Sequence, residues 1–342
     1  MLRWVPYSAF DHGALVAVDA VAAARSLDEP SLSCRTGLDG FVVSLTDYYE
    51  RGVLVGLPSS EHFEDPADFG HNFGIELCEV SAWVSWREQA GQAALYRAST
   101  DPETVEAAVL ADETWSHLIE QRLIGERSYR YWGDGIDLTF TRQSAARPIG
   151  EAGTLGLLED GLYLRGPDER THTDVVTVGT AAATGPASEL GLADAIAVLD
   201  SLSPNRILVW RGLVEWNGFS GLTADSDEAI CLQSRTLSEC DLAPLLEPYA
   251  WVVVASSFDD RQVTSLILVH DRPGAGARNA AALETVLSRD RWVRSFELED
   301  IASSDLLTIA TLRSLDSSHS AFWHVQDAIT YGWNLLSAQG GP

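Results

Sequence analysis

Histidine and carboxylate residues are the first candidates for chemistry, because a metalloprotease helix places two histidines four residues apart within an H-E-x-x-H pattern. The closest pair in this chain, His319 and His324, is five residues apart, so the two side chains diverge by more than a right angle around a helix. His324 and Asp327 share a helical face, which is more typical of a surface pair than of a ligand set. The sequence predicts no metal site here.

A second group of ionisable residues lies on a loop with Pro and Gly at residues 61–71, which contain two histidines, two glutamates and two aspartates. Carboxylate oxygens on a loop suit calcium, and paired histidines suit zinc. The spacing is not the D-x-D-x-D-G of an EF-hand. We interpret the segment as a solvated acidic loop whose Phe residues point inward, and we predict no metal.

Nucleophilic catalysis has no local signature. The nearest candidate is Ser220 in the stretch Asn-Gly-Phe-Ser-Gly, which does not have the G-x-S-x-G spacing of a nucleophile elbow. A Ser/His/Asp triad or a pair of catalytic carboxylates assembled from distant positions stays open. The sequence therefore assigns no catalytic and no cofactor-binding residue, and a hydrolase with a dispersed site is an alternative.

The charged residues exclude several chemistries. The chain has 23 basic and 50 acidic residues, a net charge of −27, and every basic residue is Arg. Without Lys there can be no Walker A loop, no Schiff base to pyridoxal phosphate and no lysine-dependent kinase or acylase motif. The negative field repels nucleic acid and anionic lipid surfaces, so the expected partner is a protein or a small molecule.

Tryptophan is abundant, with eleven residues, and exposed Trp side chains bind sugars and peptides by stacking and apolar burial. Two sets are distinguished by position. The predicted core set is Trp83, Trp115, Trp251 and Trp292. The candidates for exposure, and hence for docking to a surface or membrane-associated assembly, are Trp210, Trp216 and Trp323.

These residues lie on a repeated pattern of elements. In the first half, alternating strands are predicted at 80–87 and 93–98, a helix begins at Asp101-Pro102, and a hairpin pairs 127–132 with 136–140. The second half repeats the order with strands at 250–258 and 263–270, a helix around Leu283, and a hairpin of 294–298 and 306–310.

Both halves therefore predict a β-β-α-β-β unit. Hairpins imply antiparallel pairing, so we predict an α+β fold with mainly antiparallel sheets and helices packed on one face. The small-residue stretch at 181–187 is the predicted boundary, between a first half at 1–185 and a second half at 186–342, related by duplication.

Four cysteines, Cys34, Cys78, Cys231 and Cys240, fall outside any C-x-x-C pair, so zinc-ribbon and thioredoxin motifs are absent. Two lie in each half, which permits one disulfide within each half. Buried free thiols are the other interpretation, because free Cys behaves as a small hydrophobe. The sequence leaves this choice open.

The chain resembles a group of uncharacterised bacterial proteins from GC-rich organisms, many of them exported or lipid-anchored. The resemblance rests on three stretches of sequence. They are residues 100–109 with the aromatic segment 129–133, residues 146–150, and residues 268–271 followed by 279–283. It implies an extracytoplasmic location and carries over no functional residues. Because no signal peptide is visible at the start, the cytoplasm is the alternative.

These observations favour a non-enzymatic, extracytoplasmic binding or interaction protein. The dispersed-site hydrolase and a structural subunit that docks through exposed tryptophans are the two alternatives. A deep pocket lined by His, Asp and Ser would favour the enzyme, and a flat exposed Trp patch would favour docking. If neither exists, the binding hypothesis has no surface to use and also fails.

Overall fold

The computed structural model describes residues 1–11, 14–22, 74–75, 79–111, 113, 115–133, 153–180, 185–186, 189–202, 204–212, 246–257, 263–288, 296–315, 322 and 325. The fold is α+β with antiparallel strands, as predicted. The chain divides into two compact units, Met1–Glu189 and Leu190–Pro342. Within the described ranges, no helix has the length and apolar character needed to cross a bilayer.

The first unit contains an antiparallel sheet with the strand order β1-β2-β3-β7-β6-β5-β4. The seven strands described there are β1 (Leu15–Asp19), β2 (Val80–Glu88), β3 (Gly91–Ala98), β4 (Glu120–Ile124), β5 (Arg127–Tyr131), β6 (Thr154–Glu159) and β7 (Leu162–Gly166). Among the described residues of this unit, the helices with defined bounds are α1 (Pro102–Ala111) and α2 (Glu169–Gly179), with short 3-10 turns at Leu2–Trp4, Tyr7–Phe10 and Ser116–Leu118.

Local capping explains why both helices begin where they do. The Asp101 carboxylate accepts a hydrogen bond of 2.7 Å from the Glu103 amide, and Pro102 occupies the first helical position, where a missing N–H costs nothing. Asp168 caps α2 by accepting from the Thr171 amide at 2.7 Å. The helix predicted to begin at Asp101-Pro102 is confirmed.

The second unit contains a five-stranded antiparallel order, β8-β9-β10-β12-β11, among its described residues. The strands are β8 (Arg206–Arg211), β9 (Trp251–Ser256), β10 (Val263–Val269), β11 (Phe296–Ser303) and β12 (Leu307–Ser314). The helices whose bounds the described residues give are α3 (Leu190–Leu202) and α4 (Ala275–Leu287), and Phe322 and Val325 are helical as well. The predicted strand pair at 250–258 and 263–270 is confirmed by the pairing of β9 with β10.

The hairpin that follows α1 differs from the prediction. β5 pairs with β4, which precedes it, through a turn at Gly125, whose φ is 61°. The predicted partner at 136–140 lies outside the described residues. β4 was not predicted because it is a polar strand at one end of the strand order. Its Leu123 is 67% exposed. Such a strand lacks the apolar alternation on which the prediction depends.

Helices on one face of each sheet were also predicted, and the first unit differs. Tyr129 of β5 lies opposite Gly156 of β6, and its neighbour Arg130 lies opposite Leu155, so the two pairs mark opposite faces. α2 covers the first face, because its His172 ring lies over Gly156. α1 faces Leu155 on the other.

Burial gives the physical reason for this difference. Every residue of β9 and all but the first of β10 are buried, and four successive residues of β3 are buried as well. A strand with a continuous apolar run needs cover on both faces, whereas a strand with one solvated face alternates. In the first unit the buried run at 93–96 on β3 is of this kind, and a strand covered on both faces does not fit the prediction of one-sided packing.

Candidate functional site

Most residues weighed for chemistry lie outside the described part of the chain. These are the loop at 61–71, Ser220, His319, His324, Asp327, all four cysteines, and the tryptophans Trp216, Trp292 and Trp323. Within the described residues, Trp83, Trp115 and Trp251 are buried, which confirms their core assignment. Trp210 is half-buried rather than exposed.

The first unit holds a cavity of about 150 Å³ between α1 and strands β5, β6 and β7. Its apolar wall comes from Val105 and Val109 on one face of α1 and from Leu155 and Leu157 on β6. The helical spacing of the valines and the alternation of the leucines direct all four side chains into the same space. The cavity therefore lies where the apolar face of a helix, with helical spacing, packs against the apolar face of a strand, with alternating spacing.

Oppositely charged side chains line the same cavity. Arg130 on β5 donates from Nη2 to the Glu106 carboxylate on α1. The Arg130 side chain is 18% exposed and the Glu106 side chain is 53% exposed. Because the guanidinium is largely removed from water, its interaction with a carboxylate is stronger than that of a fully exposed pair.

Tyr163 also lines the cavity, and its hydroxyl has a fixed role. It donates a hydrogen bond of 2.7 Å to the Thr100 carbonyl, while the Thr100 hydroxyl donates to the Glu79 carboxylate. Burial, followed by the nearby Asp101 and Glu79 carboxylates, raises the pKa of Tyr163. The phenol therefore stays neutral and holds the segment that leads into α1.

The opposite face of the same strands carries a buried polar cluster around His172 of α2. The His172 ring stacks on Tyr129 with centroids 4.3 Å apart and an interplanar angle of 21°. His172 Nδ1 lies 3.2 Å from the Thr154 hydroxyl, and the Tyr129 hydroxyl donates to Glu169 at 2.6 Å. Burial raises the pKa of Tyr129 to about 12 and lowers that of His172 to about 3. Both side chains are therefore neutral at pH 7.

Gly156 makes room for this cluster. A Cβ at that position would lie 2.8 Å from His172 Cε1 and 2.8 Å from Tyr129 Cβ, closer than real Cβ atoms come to carbon. A glycine inside a strand often marks a close approach of this kind. The glycine inside this strand is the signal that the sequence offers for the cluster.

The pH dependence of stability is expected to report the buried His172. Between about pH 6.5 and about pH 3 the folded state binds fewer protons at this imidazole than the unfolded chain does, so the free energy of unfolding falls as the pH falls. The slope approaches about 1.4 kcal/mol per pH unit for a single group.

Urea denaturation of the protein and of His172→Gln across this window is the measurement, with the variant expected to lose that part of the slope. His117→Gln, which removes an exposed histidine from the turn Ser116–Leu118, is the matched control. Equal slopes in the protein and in His172→Gln would contradict the assignment.

The second unit contains a similar pairing of a buried histidine with a threonine. His270 Nε2 lies 2.9 Å from the Thr308 hydroxyl, which donates to the Gly276 carbonyl at 2.9 Å. Burial is the largest influence on His270 and lowers its pKa. In both units the histidine contacts threonine rather than the serine and carboxylate of a hydrolytic triad. No group of three metal-ligating side chains is found among the described residues.

Comparison with known proteins adds no assignment. No family model and no curated protein matches the chain. Crystal form I of a protein designated TP0453 is 10% identical, with 97% of this chain and 98% of that chain covered and a TM-score of 0.43. Crystal form III is 8% identical, covers 92% and 95%, and has a TM-score of 0.37. Likeness at this level supports no inference about activity or ligand.

Proposed function

We propose that the protein is a non-enzymatic binding or interaction protein whose first unit takes a small apolar or aromatic group into the cavity between α1 and the sheet. The observation that carries the proposal is the cavity of about 150 Å³ lined by Val105, Val109, Leu155 and Leu157. A cavity of this volume can hold a molecule the size of benzene, and its lining also includes the polar side chains of Arg130 and Glu106. It is smaller than the ~300–1,000 Å³ typical of sites for drug-sized ligands. The proposed occupant is therefore a single ring or a short branched chain.

Binding of toluene tests this proposal, because toluene fits the cavity and has no polar group. We expect the protein to bind it, measured by titration calorimetry and by NMR shifts of the α1 amides. Ser128 lines the cavity from an exposed position on β5, so Ser128→Phe should fill the cavity and weaken binding by at least about tenfold, or about 1.4 kcal/mol. Ser128→Ala is the matched control and should bind as the protein does.

An exposed strand position tolerates an aromatic residue, so Ser128→Phe is expected to fold. Retention of folding is checked by urea denaturation. Binding of toluene that is equal in Ser128→Phe and Ser128→Ala would show that the cavity is not the site, and the proposal would then be wrong.

We also propose that the two units arose by duplication. The strand orders support this: β1-β2-β3-β7-β6 in the first unit and β8-β9-β10-β12-β11 in the second. In each unit a helix follows the third strand along the chain, and the hairpin formed by the last two strands then pairs with that third strand. In this alignment the β-β-α-β-β unit of the first half uses the hairpin of β6 and β7, and β4 and β5 are an insertion.

The extracytoplasmic location implied by the family resemblance, and disulfides that would accompany it, remain part of the proposal. The mass of the protein before and after reduction tests the disulfides. Two other functions, the dispersed-site hydrolase and the subunit that docks through exposed tryptophans, draw no support from the described residues. No described Trp is exposed, and the buried histidines hydrogen-bond threonines.

A further inference from the structure

The ion pair in the cavity wall restricts the charge that a ligand can carry. Arg130 and Glu106 neutralise each other, and the Arg130 side chain is largely buried. A ligand anion that takes Arg130 leaves the Glu106 carboxylate without its partner, and a ligand cation that takes Glu106 leaves the guanidinium without its partner. The second case is the costly one, because the Arg130 side chain is only 18% exposed and its charge stays uncompensated, whereas water can solvate the half-exposed Glu106 carboxylate.

A ligand with both charges avoids this cost. Its carboxylate can pair with Arg130 while its ammonium group pairs with Glu106, so that every charge keeps a partner before and after binding. An arginine is well suited to the carboxylate, because its planar fork donates two parallel hydrogen bonds. The exchange replaces one ion pair with two and creates no uncompensated charge.

The charge of the whole protein acts against the ligand anion, which the ion pair excludes less strongly than the cation. A net charge of −27 repels simple carboxylates at long range, whereas a molecule with no net charge approaches without that penalty. The apolar wall of Val105, Val109, Leu155 and Leu157 lies beside the ion pair and suits a side chain of one ring or a short branch.

Together these features lead to a ligand class. We infer that the cavity binds a free α-amino acid with an apolar side chain, which enters the space between α1 and β6 while the amino and carboxylate groups pair with Glu106 and Arg130. The inference rests on the proposed function and adds the ligand class to it.

Four probes that share a phenyl ring separate the contributions of the carboxylate, the ammonium group and the apolar ring to binding. L-phenylalanine carries both charges, hydrocinnamate only the negative charge, phenethylamine only the positive charge, and toluene neither. We expect L-phenylalanine to bind at least about tenfold more tightly than each of the other three, since a hydrogen bond to a charged group contributes about 1.5–3 kcal/mol and 1.4 kcal/mol is tenfold. Calorimetric titration of the full chain measures the four affinities.

Two variants test which residue recognises which group. In Glu106→Gln, L-phenylalanine should lose its advantage over hydrocinnamate, because the ammonium group no longer has a carboxylate partner. In Arg130→Gln, L-phenylalanine should lose its advantage over phenethylamine, because its carboxylate no longer has a guanidinium partner. Glu103→Gln removes an exposed carboxylate from the same helix without touching the cavity, so the ratios should stay unchanged. Glu106 is half exposed, so that its variant remains informative even if Arg130→Gln fails to fold.

The outcomes are distinct. An advantage of L-phenylalanine that disappears in both variants and persists in Glu103→Gln supports the inference. If toluene binds as tightly as L-phenylalanine, the cavity binds apolar groups and the proposed function stands, but the inference about amino acids is overturned. If none of the four probes binds, the proposed function and the inference both fail.

Discussion

Gly179→Ala is expected to lower the stability of the first unit by about 3–5 kcal/mol, the range for loss of a buried aromatic side chain. Gly179 is the last residue of α2, and a Cβ built there would overlap Cε3 and neighbouring carbons of the Trp4 indole. Trp4 is 2% exposed, so the ring must leave its place to admit the methyl group. The sign of the change in stability is informative, because Gly→Ala in a helix without such an overlap stabilises by up to about 1 kcal/mol.

Urea denaturation, followed by circular dichroism, measures the change in the free energy of unfolding. Thr173→Ala, on the exposed side of the same helix, is the control and should stay within about 0.5 kcal/mol of the protein. A cycle with Trp4→Ala isolates the cause. If the overlap with the ring is responsible, the double variant will be much more stable than the sum of the two single effects predicts. Additive effects would place the cause elsewhere.

The elements that could be predicted are those whose local pattern agrees with their tertiary role. The helix at Asp101-Pro102 follows from a cap and a favourable proline, and β9 and β10 follow from long apolar runs. β4 could not be predicted because its polar side chains face solvent at one end of the strand order. Its identity depends on pairing with β5 across the turn at Gly125 rather than on its own composition.

The candidate site could not be predicted from the sequence either, because its residues come from separate elements that only the fold brings together. Glu106 and Arg130 are 24 residues apart and belong to different elements, so nothing in their spacing relates them. The cavity exists because the apolar faces of α1 and β6 meet without filling the space between them. With 50 acidic residues in the chain, a single Glu–Arg pair cannot be chosen without the fold.

The two buried histidines, His172 and His270, are a second case in which sequence patterns do not reveal the role of a residue. Both are isolated in the sequence, and the search for metal or triad spacing gave them no role. In the structure each is held by a threonine hydroxyl, which explains how an imidazole can be 2% exposed. The glycines beside them, Gly156 and Gly276, are better indicators of close packing than the histidines themselves.

Gly276→Ala is the second substitution with a large expected effect, and it acts in the second unit. Gly276 lies in the first turn of α4, where its carbonyl accepts the hydrogen bond from Thr308. A Cβ there would collide with the Ser304 carbonyl oxygen and would lie 2.5 Å from the Leu307 carbonyl oxygen. Both are backbone atoms, one just after β11 and the other in the first residue of β12, so no side-chain rotation relieves the contact. We expect a loss of about 2–4 kcal/mol, at or above the upper part of the range for overpacking.

Hydrogen exchange of the β10 and β12 amides measures this loss within the second unit, and urea denaturation measures it for the chain. Thr308→Val separates the steric cause from the hydrogen bond, because it removes the hydroxyl and leaves the backbone approach intact. Its cost should be smaller, about 1–2 kcal/mol. Ala281→Ser, on the exposed side of α4, should have little effect. If Gly276→Ala costs no more than Thr308→Val, the close approach of α4 to the turn before β12 is not what requires glycine, because an added methyl group would then have been accommodated without displacing the backbone.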